Sequence, residues 1–352
     1  MKKNLFLNSI LIIAFALSIS SCMQNSNKTN ESAKVKHYRN LLFTESPWDS
    51  IKGAREISPK EAETINNYKF TYDDSGRLIQ VEYCRGDSLL DYSGLRVAKV
   101  TFAYEGNKEI RHYFNSKNEP VTTNGNVFSA VYELDNTGFR TGLKFYDKDG
   151  NPVENANKIG YYTWSKTITG MVKENRYRLT GEETVLSQFC PFYELRFSYN
   201  DKGYVTRMAN YNKDSLYNCT AENCGNIGVS YFLFDRNENG DVLQFSVHST
   251  TGQLSNLYWG WAKNIQKFDD NGYMTERVQY DQDNELVGGK MVPVTQYAYD
   301  EHGAVIEEKY LDANGRPMAN SAGVAVKKYE YNEYGRRIAT ISYDEKMQKI
   351  ES

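Results

Sequence analysis

A short phrase, an aromatic residue followed by a turn acid or amide and then a glycine, returns along the chain, and this repetition constrains the fold more than any other feature. It reads Tyr72-Asp73-Asp74-Ser75-Gly76, Tyr199-Asn200-Asp201-Lys202-Gly203, Phe268-Asp269-Asp270-Asn271-Gly272, Tyr299-Asp300-Glu301-His302-Gly303 and Tyr331-Asn332-Glu333-Tyr334-Gly335. Its glycines fall at 76, 106, 138, 170, 203, 240, 272, 303 and 335, at intervals of 30, 32, 32, 33, 37, 32, 31 and 32 residues. A period of this length marks a stack of similar units rather than a set of independent domains.

Columns at fixed offsets show what each unit is. Eleven residues before the glycines stand Ile65, Leu95, Val127, Ile159, Phe192, Val229, Trp261, Val292 and Val324, all apolar. Six and four residues before them come pairs such as Phe70/Tyr72, Tyr132/Leu134, Phe197/Tyr199 and Tyr329/Tyr331. A spacing of two puts both members on one face of a strand. After the glycine a second aromatic follows, among others Tyr83, Tyr113, Tyr177, Tyr280 and Tyr343, so each unit reads strand, tight turn, strand. A second turn is marked by Gly150, Gly252 and Gly315 and by Pro120, Pro152 and Pro317, since glycine supplies positive φ and proline stops a strand. One such unit is too small to fold alone, so neighbours must share a core. Aromatics at 14% of the chain, with 28 Tyr, suit half-buried strands. The expectation is an all-β fold, a repetitive antiparallel β-hairpin array forming an extended or solenoid-like sheet of about nine units over residues 68–352.

Residues 37–67 do not follow the repeat. They carry Leu41-Leu42-Phe43, Trp48 and then Ser58-Pro59-Lys60-Glu61, which has an N-cap, a proline at the first helical position and a capping-box glutamate. This predicts a short helix near 59–66 within an N-terminal helical cap on the exposed end of the stack.

The repeated phrases resemble the YD repeats of the RHS family, in which Tyr-Asp-x-x-Gly turns recur along extended β-sheets that spiral or close into shells. The resemblance covers roughly residues 68–350 and implies a repetitive β scaffold in a bacterial envelope protein, without implying an activity. The first residues carry a second resemblance. Met1-Lys2-Lys3 is a charged start, Leu5 to Leu17 is an apolar run, and small residues follow at Ser18, Ser20 and Ser21. Ile19-Ser20-Ser21-Cys22 resembles the lipobox of bacterial lipoproteins, which implies a signal peptide over 1–21 and a lipid-bearing Cys22. Buried acyl chains contribute about 0.8 kcal/mol per CH₂, so two or more anchor a protein durably. Met23 stands where inner-membrane retention signals carry Asp, so the expected address is the outer membrane, facing the periplasm or the cell surface. The rest of 22–36 is polar and reads as a flexible tether.

The interval of 37 residues between Gly203 and Gly240 holds two expansions. Cys219 and Cys224 flank four residues and are a candidate disulfide in an exported protein, against the alternative of two free thiols. Cys84 and Cys190 lie in different units and read as unpaired, small buried residues. Asp235, Asn237, Asn239 and Asp241 match the start of a calcium loop, but Ser246 stands where the bidentate Glu belongs, and Asp and Asn are also ordinary turn residues. Asp147-Lys148-Asp149-Gly150-Asn151 is a weaker version that already fits the second turn. Calcium is thus the one candidate cofactor.

Formal charge is −3 and no basic stripe is present, which argues against nucleic acid as a partner. His37, His112, His248 and His302 are widely separated, adjacent acids on a strand such as Glu307-Glu308 point to opposite faces, and turn acids such as Asp269-Asp270 point to solvent, so no catalytic set is legible. Rows of Tyr read mainly as cross-strand ladders, and Trp259 is the candidate exposed ring for stacking on a ligand. Asp49-Ser50-Ile51, Asp87-Ser88-Leu89 and Asp214-Ser215-Leu216 resemble short O-glycosylation motifs of bacterial envelope proteins. The expected function is non-enzymatic: a membrane-anchored scaffold that binds a glycan or an envelope protein. The alternatives are a purely structural envelope component and a carbohydrate-active enzyme.

Overall fold

The acid or amide of the recurring phrase builds the turn. Asp73 Oδ1 accepts hydrogen bonds from the backbone amides of Ser75 and Arg77 at 3.0 and 2.8 Å. The backbone closes beneath it, with Gly76 N donating to Asp73 O at 2.9 Å. A side-chain oxygen used in this way imitates a backbone turn. The same two bonds recur at Asp135, Asn200, Asn237, Asp300 and Asn332. The glycine that follows takes φ between +58° and +86° at all nine positions, where a Cβ is disfavoured.

The computed structural model describes residues 34–91, 94–185, 192–217, 229–257 and 259–351, which form one antiparallel sheet of 23 strands. Strand β1 (Lys34–Leu41) pairs with β2 (Gly53–Ile57) on one side and β3 (Asn67–Tyr72) on the other, and β3 turns at Gly76 into β4 (Leu78–Arg85). Nine such hairpins follow one another, one per turn glycine, ending with Val326–Tyr331 and Arg337–Tyr343. Within a hairpin about six positions pair, as from Val294↔Leu311 to Tyr299↔Val305, but only three join it to the next, Glu307–Lys309 against Val326–Lys328. The second turn takes up the remainder through single bridges such as Tyr146↔Pro152 and Leu311↔Pro317. In the irregular unit Ala209 pairs directly with Tyr231, so the insertion leaves the ladder intact.

Tyrosine ties the hairpins together. The hydroxyls of Tyr104, Tyr299 and Tyr331 donate to the carbonyls of Leu78, Met274 and Val305 at 2.9, 2.8 and 2.7 Å, in each case just after the turn glycine of the preceding hairpin. The apolar columns form the core. Phe70, Val81, Val100 and Phe102 make one buried cluster, and a larger one runs from Val127 to Leu257 through Trp164, Phe197 and Phe234. Cys84 is buried and free, as its strand position implied.

The expected helical cap does not form. Helix α1 is one turn, Pro59–Ala62, with the capping box in place: Ser58 Oγ accepts from Glu61 N at 3.2 Å and Glu61 Oε2 from Ser58 N at 2.9 Å. Four residues cannot cover a sheet edge, and the flanking chain satisfies its backbone groups as β1 and β2 instead. β1 starts at Lys34, inside the segment expected as tether. The region forms the N-terminal edge of the sheet and also lies against distant hairpins. Asn40 Nδ2 donates to Gly272 O at 3.0 Å, Arg39 Nη1 to the Tyr273 hydroxyl at 3.1 Å, and Asn66 N to His302 O at 2.9 Å. Arg85 reaches Glu333 O of the last turn at 2.7 Å. The sheet therefore curls until turn loops meet β1–β4, while β2 and Arg337–Tyr343 stay unpaired with each other and no barrel closes. No helix among the described residues is long and apolar enough to cross a membrane.

Candidate functional site

The stretch Leu42–Lys52 joins β1 to β2 and crosses the inner face of the curl as a strap. Trp48 anchors it, its ring 5.4 Å from Phe139 and 5.3 Å from Tyr199, and its carbonyl accepts from Arg140 Nη1 at 2.7 Å. Ser46 Oγ bonds Glu174, which also accepts from Trp164 Nε1 at 2.8 Å and Arg176 Nη1 at 2.9 Å. Glu174 and Arg176 are fully buried. Such a pair is costly unless every partner is in place, so the strap and the hairpin hold each other in one geometry.

Phe43 lies over Phe234 at 5.3 Å, and its carbonyl accepts from Arg236 Nη2 at 3.1 Å. Between Phe43 and the sheet lies a cavity of about 520 Å³. Its lining includes the aromatic rings of Phe43, Phe234, Phe245 and Phe268 and the polar side chains of Asn40, Asn264, Gln266 and Glu45. Asn264 is buried, and Gln266 Nε2 donates to its Oδ1 at 3.0 Å, which leaves the Gln266 carbonyl oxygen and the Asn264 amide nitrogen to face other groups. Burial, reinforced by the charge of Asp49, pushes Glu45 up to about 7. Burial likewise raises Asp49.

Gln266 interrupts an otherwise apolar column, and that was the available signal. Six before the turn glycines stand Phe70, Val100, Tyr132, Trp164, Phe197, Phe234, Gln266, Tyr297 and Tyr329; eight before Gly272 stands Asn264. Only Gln266 breaks the first series. A second signal was the pattern Glu-x-Arg at strand spacing. Glu109/Arg111 and Glu174/Arg176 pair on the inward face at 2.7 and 2.9 Å, and Glu194/Arg196 on the opposite face at 2.7 Å.

The structure places the sequence-derived candidates as follows. Asp235 and Asn239 are exposed, whereas Asn237 and Asp241 meet at 2.7 Å. Asn237 Oδ1 accepts the amides of Asn239 and Asp241 at 2.9 and 3.0 Å, and both Asp241 oxygens bind Arg55 at 2.6 Å. Among the described residues no group of three or more His, Cys, Asp or Glu could hold a metal ion. Trp259 is half-buried rather than exposed: its ring stacks on Trp261 at 4.9 Å and its Nε1 donates to Trp261 O at 2.8 Å. Ser88 and Ser215 are exposed at hairpin tips, while Asp49 and Ser50 belong to the strap. Cys22, Cys190, Cys219 and Cys224 lie outside the described residues.

No protein-family model matches the chain, and no curated protein does. Among solved structures it is similar to a porin-like protein from Bacteroides uniformis at 10% identity, over 88% of this chain and 93% of that one, with a TM-score of 0.27. It is also similar to the Tc holotoxin pore of Photorhabdus luminescens, at 10% identity over 84% of this chain with a TM-score of 0.25, and to the TcdB2-TccC3-Cdc42 complex, at 11% over 90% with a TM-score of 0.21. The chain spans 19% and 20% of the length of those two toxin chains.

Proposed function

We propose that the chain is a lipid-anchored protein of the bacterial envelope, held at the outer membrane through Cys22, and that it binds a neutral glycan in the cavity between the strap and the sheet. One observation carries this reading: the cavity lining combines the aromatic rings of Phe43, Phe234 and Phe245 with the carboxamides of Asn40, Asn264 and Gln266. Sugar rings stack their C–H faces on aromatics and direct hydroxyls to planar amides, and about 520 Å³ lies in the range of small-molecule sites. Phe43, 42% exposed, forms the outer lip.

The test is a panel of envelope and host oligosaccharides titrated by calorimetry against the full chain in detergent. Binding of at least one neutral glycan, weakened about tenfold by Gln266→Leu through the loss of a hydrogen-bonding site, is the expected result. No heat from any glycan at millimolar concentration would sink the proposal. For the anchor, mass spectrometry of the N-terminal peptide should find acyl chains on Cys22; an unmodified thiol overturns it.

A carbohydrate-active enzyme is the second reading, and Glu45 favours it. A carboxyl pushed up to about 7 keeps its proton near neutrality, as a general acid must. Product release from a bound glycan, abolished by Glu45→Gln with binding retained, would establish this second reading over the first.

A further inference from the structure

On another side of the strap a cavity of about 580 Å³ is lined by Lys52, Tyr104, Glu109, Arg111, Arg140 and Lys202, among others. It adjoins a further space of about 510 Å³ that shares Lys52, Tyr104, Glu109 and Arg140. At its base two guanidinium groups share one carboxylate. Arg111 Nε donates to Glu109 Oε1 and Arg140 Nη2 to Oε2, both at 2.7 Å. Both carboxylate oxygens are thereby used, all three side chains are buried, and one positive charge is left over. Arg111 Nη2 is buried with no hydrogen-bond partner.

The surrounding groups do not cancel this excess. Tyr132 presents its face to both guanidiniums, at 4.2 and 4.7 Å, and Phe102 to Arg111 at 5.1 Å. Such faces attract cations but carry no net charge. Lys202 is held by Glu238; Lys52 donates to the carbonyl of Gly203 at 3.4 Å and also feels Asp49, in the adjoining space, whose ionisation burial disfavours. A buried, uncompensated charge costs several kcal/mol unless a counter-ion joins it. A forked guanidinium is the usual partner for a planar or tetrahedral oxyanion.

We propose that this cavity is a binding site for an oxyanion carried on a polar ring, the carboxylate or phosphate of an acidic sugar, with Arg111, Arg140 and Lys52 as its cationic contacts. The site is separate from the aromatic cavity, and it stands or falls independently of the neutral-glycan reading.

The experiment is calorimetry and thermal denaturation of the full chain in detergent with glucuronate, glucose 6-phosphate and glucose. One of the two anions should bind and raise the melting temperature while glucose does not; the arm that binds identifies carboxylate or phosphate. Raising the salt should weaken binding. Arg111→Lys keeps the charge and removes the fork, so it should lose about tenfold in affinity. Because that variant can also perturb the core, Lys52→Met is the companion: Lys52 is exposed, so the unliganded melting temperature should hold while anion affinity falls. Gln266→Leu, in the other cavity, should leave anion binding unchanged. If neither anion binds at millimolar concentration, or if Lys52→Met and Arg111→Lys bind as the parent does, the excess charge is held by the aromatic faces alone and the proposal is wrong.

Discussion

Arg55 grips Asp241 through two parallel hydrogen bonds of 2.6 Å each, joining edge strand β2 to the turn of the sixth hairpin across 186 residues of chain. Their side chains are only 12% and 8% exposed. Curling of the sheet is fixed at this point by a bidentate, largely dehydrated ion pair.

Removing either partner leaves the other charge buried and unpaired, which costs about 3–5 kcal/mol. Arg55→Met or Asp241→Asn should therefore lower the unfolding free energy from urea titration by the larger part of that amount. Replacing both with apolar residues should recover some of it, because no orphan charge remains. A double variant as unstable as the sum of the singles would show that the pair is not coupled.

The same pair bears on calcium. With both Asp241 oxygens on Arg55 and Asn237 Oδ1 on two backbone amides, the loop's best-placed oxygens are already engaged. We expect the melting temperature to be the same in EDTA and in millimolar calcium. A rise with calcium that Asp235→Ala abolishes would restore the cation site.

Turn glycines differ in what surrounds them. A Cβ on Gly272 would come within 2.2 Å of Arg55, whereas one on Gly76 would meet nothing within 4 Å; their φ angles are +85° and +80°. Gly76→Ala should cost only the left-handed strain, roughly 1–2 kcal/mol. Gly272→Ala adds a clash with the guanidinium and should cost more. Equal losses in denaturant titrations would mean that β2 gives way freely.

Much of this was legible because turn geometry is local. Nine glycines needed positive φ, and Asp73 or Asn332 three residues before them needed only their own backbone, so sequence spacing alone located the hairpins. The strap was not legible, since Asn40 meets Gly272 only after the sheet has curled, a cumulative twist that no single unit encodes. Trp259 looked like an outlying ring because its partner Trp261 was assigned to the core column; the two indoles in fact stack. Gln266 could have been noticed as a polar break in an otherwise apolar series, but its meaning depends on Phe43 arriving from the other end of the chain.

Stability should fall on both sides of an intermediate pH. Hydrogen bonds from Ser75 and from the Arg77 amide hold Asp73 down to about 2, and turn bonds likewise depress Asp135, Asp147 and Asp312. A carboxyl depressed in the folded state contributes stability above its unfolded pKa near 4, and that contribution is lost as pH drops through the folded value. Glu45 acts in the opposite sense. Burial raises it to about 7, so its favourable effect is complete only below its unfolded value of 4.5 and disappears as pH rises through about 7. Glu45→Gln should match the parent at pH 4 and be more stable than it at pH 8. A variant less stable at pH 8 would show that the ionised Glu45 has a partner.

The tyrosine latches offer the most direct test of how the hairpins are coupled. Tyr299 and Tyr331 stand four residues before their turn glycines and donate to Met274 O and Val305 O of the hairpin before, at 2.8 and 2.7 Å. Only three paired positions join those hairpins, so each latch is a sizeable part of a narrow interface. Phenylalanine keeps the ring's packing and deletes the donor. A net loss of about 0.5–1.5 kcal/mol per bond is expected from Tyr299→Phe and from Tyr331→Phe. In a quasi-linear array the effect should be nearest-neighbour. Hydrogen exchange in Tyr331→Phe should accelerate in Val326–Tyr343 while the amides of Asn67–Arg85 keep their protection. Uniform acceleration along the sheet would instead mean that the curl unfolds as one unit, with contacts such as Arg85 to Glu333 O making its ends interdependent.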